Sequence, residues 1–335
     1  LDERVGGTPA LAIAMPALRK QVAAIMVRDA REGLAETYLS FAAGLHQQQT
    51  DDFAQVLLQF AIALRPDSVP SRLLLADIQG AVGRPAAAAA TLTPINPDDS
   101  LAAVARLRRD IFANEAHQSD AAIADLRQMA TAYPSRPEPL AELGDILRNE
   151  KHFKEAAAAY SGAILRAAPA AAAWHLFFER GIAYERAHDW PHAEADLKQA
   201  LELAPEQPAI LNYLGYAWAD RGENLDRARA MLERAAQLQP NDGAIIDSLG
   251  WVKLRTGDEA GAVADLERAA EMQPEDAEVN GHLGDAYWAV GRQLEAENQW
   301  RRALNLHPDA DNAAHLESRL HEALGRAFQS TQRTP

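Results

Sequence analysis

Residues 277–310 read AEVNGHLGDAYWAVGRQLEAENQWRRALNLHPDA. Apolar and small residues recur here at spacings of three and four, with Leu283, Tyr287 and Trp300 among the large ones and Gly284, Ala296 and Ala303 among the small. That is the periodicity of two helices, each burying one stripe. Pro308 closes the stretch, because proline cannot continue a helical hydrogen-bond ladder and disfavours a helical residue before it. The pattern recurs: Pro205, Pro240, Pro274 and Pro308 lie 35, 34 and 34 residues apart, and Gly181, Gly215, Gly250 and Gly284 follow at 34, 35 and 34.

Glycine and alanine let the two helices of a unit approach closely, so each period predicts an antiparallel helix pair. Neighbouring periods carry Phe177, Gly181, Tyr184, Ala193, Leu197, Ala200 and Pro205, and then Ile246, Leu249, Gly250, Ala262, Leu266, Ala269 and Pro274. Upstream the register is fainter, running through Pro66, Ser100, Pro134 and Ala168, with Ala54, Leu58 and Ala61, Ala88 and Leu92, Ala122 and Leu126, and Ala156, Tyr160 and Ala163 at the second-helix positions. Eight units follow: 35–68, 69–102, 103–136, 137–170, 174–207, 208–242, 243–276 and 277–310. The third, with Arg106, Arg109 and Asp110 at apolar positions, is expected to be irregular. Residues 171–173 and one residue within Gly222–Asp226 are insertions expected in turns. Residues 1–34 form an extension with one helix over 17–30. Stacked repeats leave a terminal apolar face, so a capping helix is expected within 311–329, ahead of a tail at 330–335.

Composition agrees with an all-α chain, being rich in helix formers and poor in the β-branched and aromatic residues of a large sheet. A net charge of -15 repels phosphate backbones and anionic membrane surfaces. The absence of cysteine excludes disulfides, thiolate metal sites and cysteine nucleophiles. No apolar run approaches the ~20 residues of a bilayer span. The chain begins at Leu1, so a signal peptide would lie upstream.

These repeat residues resemble the tetratricopeptide-repeat superfamily over 35–170, where the match is degenerate, and 174–310, where it is close. The resemblance implies a right-handed superhelical solenoid with a concave groove lined by the first helix of each pair, and it implies binding without catalysis or cofactor. The block Asn212–Trp251, with Tyr213-Leu214-Gly215-Tyr216-Ala217-Trp218 and Asp247-Ser248-Leu249-Gly250-Trp251, is similar to bacterial envelope tetratricopeptide proteins, as is His282-Leu283-Gly284-Asp285-Ala286-Tyr287-Trp288. Some of these are outer-membrane lipoproteins, and one kind is the adaptor of a periplasmic carboxyl-terminal processing protease.

The repeat phase directs Phe178, Glu185, Arg186, Asn212, Tyr216, Asp220, Asp247, Trp251, Arg255, Asp285 and Trp288 into that groove. Aromatic anchors flanked by polar groups suit a peptide-binding surface. The competing reading is that Trp251 and Trp288 pack between helices. A clamp for a terminal carboxylate needs donors, whereas Asp247 and Asp285 follow Asn212, so a basic or neutral segment fits better. His188 and His192 have metal-ligand spacing but fall at a turn, and Asp309, Asp311 and His315 lack the further ligands and glycine of a calcium loop. No serine lies in a nucleophile-elbow motif.

The expected function is a non-enzymatic adaptor or scaffold in a bacterial periplasm or outer membrane. Its expected partner is a protein or peptide, and its open ends permit self-association. The rival reading is a recognition arm of a larger enzyme, such as a glycosyltransferase.

Overall fold

The computed structural model describes residues 27–167 and 173–331. Among these are seventeen helices and no strand, so the chain is an all-α repeat solenoid of eight antiparallel helix pairs and a final helix. The pairs are α1 (Ala30–Gln47) with α2 (Asp51–Leu64), α3 (Val69–Ala81) with α4 (Pro85–Leu92), α5 (Ala102–Glu115) with α6 (Ser119–Ala132), and α7 (Glu138–Asn149) with α8 (Phe153–Arg166). Then come α9 (Trp174–Arg186) with α10 (Trp190–Leu203), α11 (Pro208–Arg221) with α12 (Leu225–Leu238), α13 (Gly243–Arg255) with α14 (Glu259–Met272), α15 (Ala277–Ala289) with α16 (Gln293–Asn305), and finally α17 (Ala310–Thr331). Two compact units, residues 1–193 and 194–335, divide within α10 rather than at the 170–174 break in repeat quality.

A recurring contact builds the pairs. A Cβ on Gly144 would lie 2.6 Å from Tyr160, one on Gly250 2.6 Å from Leu266, and one on Gly284 2.4 Å from Trp300. Glycine is thus required where a large side chain of the second helix crosses the first. In the first two pairs Ala42 and Ala76 take the glycine position and face Leu58 and Leu92, all at most 2% exposed.

Helix termini are locally encoded. Asp242 and Asp276 accept from the amides of Ile245 and Val279 at 3.3 and 3.2 Å, satisfying donors that the helix leaves open. Most of the turns within a pair are three residues with the middle one at positive φ, such as Gly257 and Gly291 in unit two and Lys151 and His188 in unit one. The turn after α11 is also three residues but places Gly222 and Asn224 at positive φ, and the single inserted residue, expected in a turn, instead lengthens α11, which is one residue longer than α13 or α15.

Two further expectations are corrected. The third pair is regular, with both helices full length, and its buried Asp110 pairs with Arg109 at 2.7 Å. The irregularity lies in the second pair, where Pro94 and Pro97 stop α4 after 8 residues. The helix expected over 17–30 lies mainly outside the described residues, and its last part is not helical: Val27 to Asp29 precede α1, which Asp29 caps. The insertion at 171–173 lies largely outside them too.

In unit one the core is a strip of alanine, leucine and aromatic side chains running from Val69 to Ala183 between successive helices. In unit two, Leu266, Leu283, Trp300, Leu316 and Ala323 join in one cluster, so α17 lays an apolar stripe on the last pair while Glu317, His321 and Glu322 face water. That amphipathic character suits a terminal helix, whose outer side has no neighbour to pack against.

Candidate functional site

The first helices α11, α13 and α15, with α17 continuing their series, enclose a cavity of about 230 Å³ in unit two. Its walls include Tyr216, Trp251, His282 and Leu316, and Asp220, Glu278, Asp311 and His315 also line it. A second depression shares Asp220, Trp251 and Asp285 and adds Arg255, Trp288 and Arg319. Of the residues expected in the groove, Tyr216, Asp220, Trp251, Arg255, Asp285 and Trp288 therefore come together.

Polar side chains tie these helices to one another. His282 Nδ1 meets both carboxylate oxygens of Asp247 at 3.1 and 3.0 Å. Burial disfavours the imidazolium, but the charge and hydrogen bond of Asp247, with Glu278 and Asp285 nearby, raise its pKa to about 9. The pair is therefore charged at neutral pH. Asp285 is surrounded in turn: Trp300 Nε1 donates to it at 3.1 Å, His315 Nε2 lies 3.2 Å away, and Arg319 Nε lies 3.3 Å away. The Tyr216 hydroxyl donates to Glu278, and burial followed by that carboxylate raises the phenol's pKa.

Asp247 and Asp285 are thus buried and paired, not bare carboxylates presented to a ligand. The acidic groups that line the opening are Asp220, Glu278 and Asp311, two of them outside the expected set. Trp251 is 9% exposed, stacks on His282 with ring centroids 4.3 Å apart, and has the Arg255 guanidinium 5.5 Å from its ring centre. Most of its surface is committed to packing. Trp288 is half-buried with its ring 5.5 Å from Trp300, while Arg255 donates to the Asp220 carbonyl at 3.0 Å.

The remaining expected residues stand elsewhere. Asn212 is half-buried on α11 and does not line either depression. Phe178, Glu185 and Arg186 lie on α9 in unit one, where the Arg186 guanidinium sits 5.6 Å from the Phe153 ring centre. His188 is at a turn with φ 61°, His192 bonds Asp189 at 2.8 Å, and Asp309 accepts from the amide of Asn312 at the start of α17. Among the described residues no group of three or more potential ligands could hold a metal, and no helix is long and apolar enough to cross a membrane.

The groove set expected from the sequence lacked Glu278, His282, His315 and Arg319. The register carried a signal for two of them: continued past Pro308, it places His315 and Arg319 on α17 at the phases of Asp247 and Trp251 on α13. His282 is one position from that phase, and it lines the cavity while pairing with Asp247.

A stacked-pair fold with a polar and aromatic inner surface defines a repeat protein of the binding class. Residues 178–243 and 248–313 match the tetratricopeptide repeat family, and this part of the chain consists of tetratricopeptide repeats. Its fold is similar to the crystal structure of the APC/C hetero-tetramer Cut9-Hcn1, with 18% identity and a TM-score of 0.61 over 86% of this chain and 58% of that one. It is also similar to a tetratricopeptide repeat protein from Parabacteroides merdae, with 13% identity and a TM-score of 0.50 over 87% and 99%. These likenesses bear on fold alone. No curated protein matches the chain. Proteins of this repeat family are typically interaction scaffolds that bind protein or peptide partners.

Proposed function

We propose that the chain is a non-catalytic adaptor that holds an extended peptide segment of a partner in the groove of unit two. The supporting observation is the cavity of about 230 Å³ between α11, α13, α15 and α17, where apolar surface from Tyr216 and Trp251 adjoins the acidic side chains of Asp220, Glu278 and Asp311. Apolar surface supplies burial and the acids select for a basic or neutral segment. The polar cross-links beneath the surface hold the helices in place before binding, which lowers the ordering cost of capture. In its finer form the proposal is an envelope adaptor of a bacterium, periplasmic or attached to the outer membrane, whose partner is a carboxyl-terminal processing protease.

The test is affinity capture from the source organism with the wild-type chain and with an Asp220→Ala/Arg255→Ala/Trp288→Ala variant, quantified by mass spectrometry. A partner captured by the first and lost by the second supports the groove. An unchanged partner set places binding on another surface. Fluorescence anisotropy with a purified carboxyl-terminal processing protease then tests the finer form, and absence of saturable binding would sink it.

A further inference from the structure

The first helix pair carries an apolar surface that departs from the repeat. On α1, Leu34 and Phe41 are 44% and 64% exposed, and on α2, Phe53, Val56 and Phe60 are 60%, 42% and 53% exposed. The rings of Tyr38 and Phe60 are 6.0 Å apart, so the two stripes adjoin. Such a contiguous patch on a folded protein marks a surface that something covers.

Comparison along the register shows what is unusual. Phe41 stands where other pairs have Leu75, Leu143, Leu214, Leu249 and Leu283, which are 5%, 5%, 0%, 8% and 2% exposed. In those pairs preceding helices cover the position. Phe53 and Phe60 depart in the opposite sense, standing where later pairs put exposed Glu155 and Glu295, and exposed Arg234, Arg268 and Arg302. One core position is open and two solvent positions are aromatic, all on one pair.

The chain enters α1 from a defined direction. Asp29 accepts from the amide of Glu32 at 2.8 Å while the Glu32 side chain accepts from the amide of Arg28 at 2.8 Å, a reciprocal cap that stops α1 from running further upstream. Val27 turns back beside the helix, its Cγ1 3.5 Å from where a Gly33 Cβ would be. The described chain therefore begins, at Val27, beside the flank of α1. In sequence they present Leu18, Val22, Ile25 and Met26 at i, i+4, i+7 and i+8 behind Pro16, the spacing of one apolar helical stripe with proline at its start.

We propose that residues 17–26 dock this stripe on the Phe41, Phe53 and Phe60 surface of the first pair, taking the place a preceding repeat helix takes elsewhere in the chain. The link from Met26 to α1 is only Val27 to Asp29, so the segment meets its surface at a high effective concentration.

The chain contains no cysteine, so a Val22→Cys/Phe41→Cys variant of the full chain has only two thiols. Oxidation should give a disulfide within one 36.4 kDa chain, with a yield unchanged on ~10-fold dilution. A Val22→Cys/Leu165→Cys control, using a side chain 88% exposed on α8, should stay reduced. Disulfide-linked dimers whose yield falls on dilution would identify a second copy as the occupant and overturn the proposal, as would no cross-link in the first variant. Hydrogen exchange on the unmodified chain supplies an independent arm. Amides 17–26 should be protected at least ~10-fold over an unstructured peptide and lose that protection in Phe53→Asp/Phe60→Asp. Unprotected amides in the unmodified chain would overturn the proposal.

Discussion

Two helix pairs bury carboxylates and resolve the charge in different ways. In unit one, Asp110 occupies the position that Gly144, Gly250 and Gly284 hold in other pairs, and it shares Arg109 with Asp125, at 2.7 and 2.6 Å. Burial and the hydrogen bond with Asp125 raise Asp110 to about 7, although Arg109 pulls the other way. Burial also works against Asp125, but hydrogen bonds from Arg106 and Asp110 and the charge of Arg109 hold it at about 2. In unit two, Asp247 has the imidazolium of His282 to itself. A permanent cation shared by two acids favours a proton on one of them, whereas a titratable cation dedicated to one acid makes the pair depend on its own proton. The consequence is two different pH windows.

The largest expected effect lies in the second arrangement. His282→Ala leaves Asp247, whose side chain is 8% exposed, without its cation, and should cost about 3–5 kcal/mol in urea unfolding followed by tryptophan fluorescence. A loss below about 1 kcal/mol would mean that water replaces the imidazolium and the pair holds nothing together. The next effect is steric. Gly284→Ala puts a Cβ 2.4 Å from Trp300 and should cost about 1–3 kcal/mol in the same urea unfolding measurement.

The pH dependence sharpens the contrast. The folded pKa of His282, about 9, exceeds the unfolded value near 6.5, so its stabilisation is complete below pH 6.5 and is lost as pH rises through 9. Asp110 also binds its proton more tightly when folded, so its contribution falls between pH 3.8 and about 7. Asp110→Asn should therefore stabilise by about 1 kcal/mol at pH 8, with the gain disappearing below pH 4. A gain that persists at pH 3 would assign the effect to packing instead of charge.

These contrasts also show where the sequence speaks. The period and the glycine crossings were legible because an interhelical approach of a few ångströms favours small residues, and the constraint returns in every pair but the third. Asp110 was misread as a sign of irregular backbone, since its partner Asp125 lies on the next helix and no local pattern links the two. His282 escaped for the same reason: its partner Asp247 is 35 residues away, and pairing across a repeat leaves no periodic mark. The short α4 was recoverable in principle, because Pro94 and Pro97 stand where a second helix should continue. The groove was only partly legible, as register assigns a side chain to a face but does not say whether a neighbour has already claimed it, as His282 claims Trp251.

The smallest effect on stability is the most useful for the groove. Arg255 is exposed, and its contacts are with the Trp251 ring and the backbone carbonyl of Asp220. Arg255→Ala removes no buried apolar surface and leaves no buried charge alone, so unfolding free energy should move by about 0.5 kcal/mol or less. If the partner's segment passes over Trp251, the same change should weaken its binding by about tenfold, since exposed residues at the centre of an interface contribute through desolvation that occurs only in the complex. Calorimetric titration of the captured partner, read beside the melting curve, separates these quantities. Binding that falls while the melting point holds locates the partner on this face. Binding and melting unchanged together would remove Arg255 from the contact and shift attention to Tyr216 and Glu278, on the other side of the cavity.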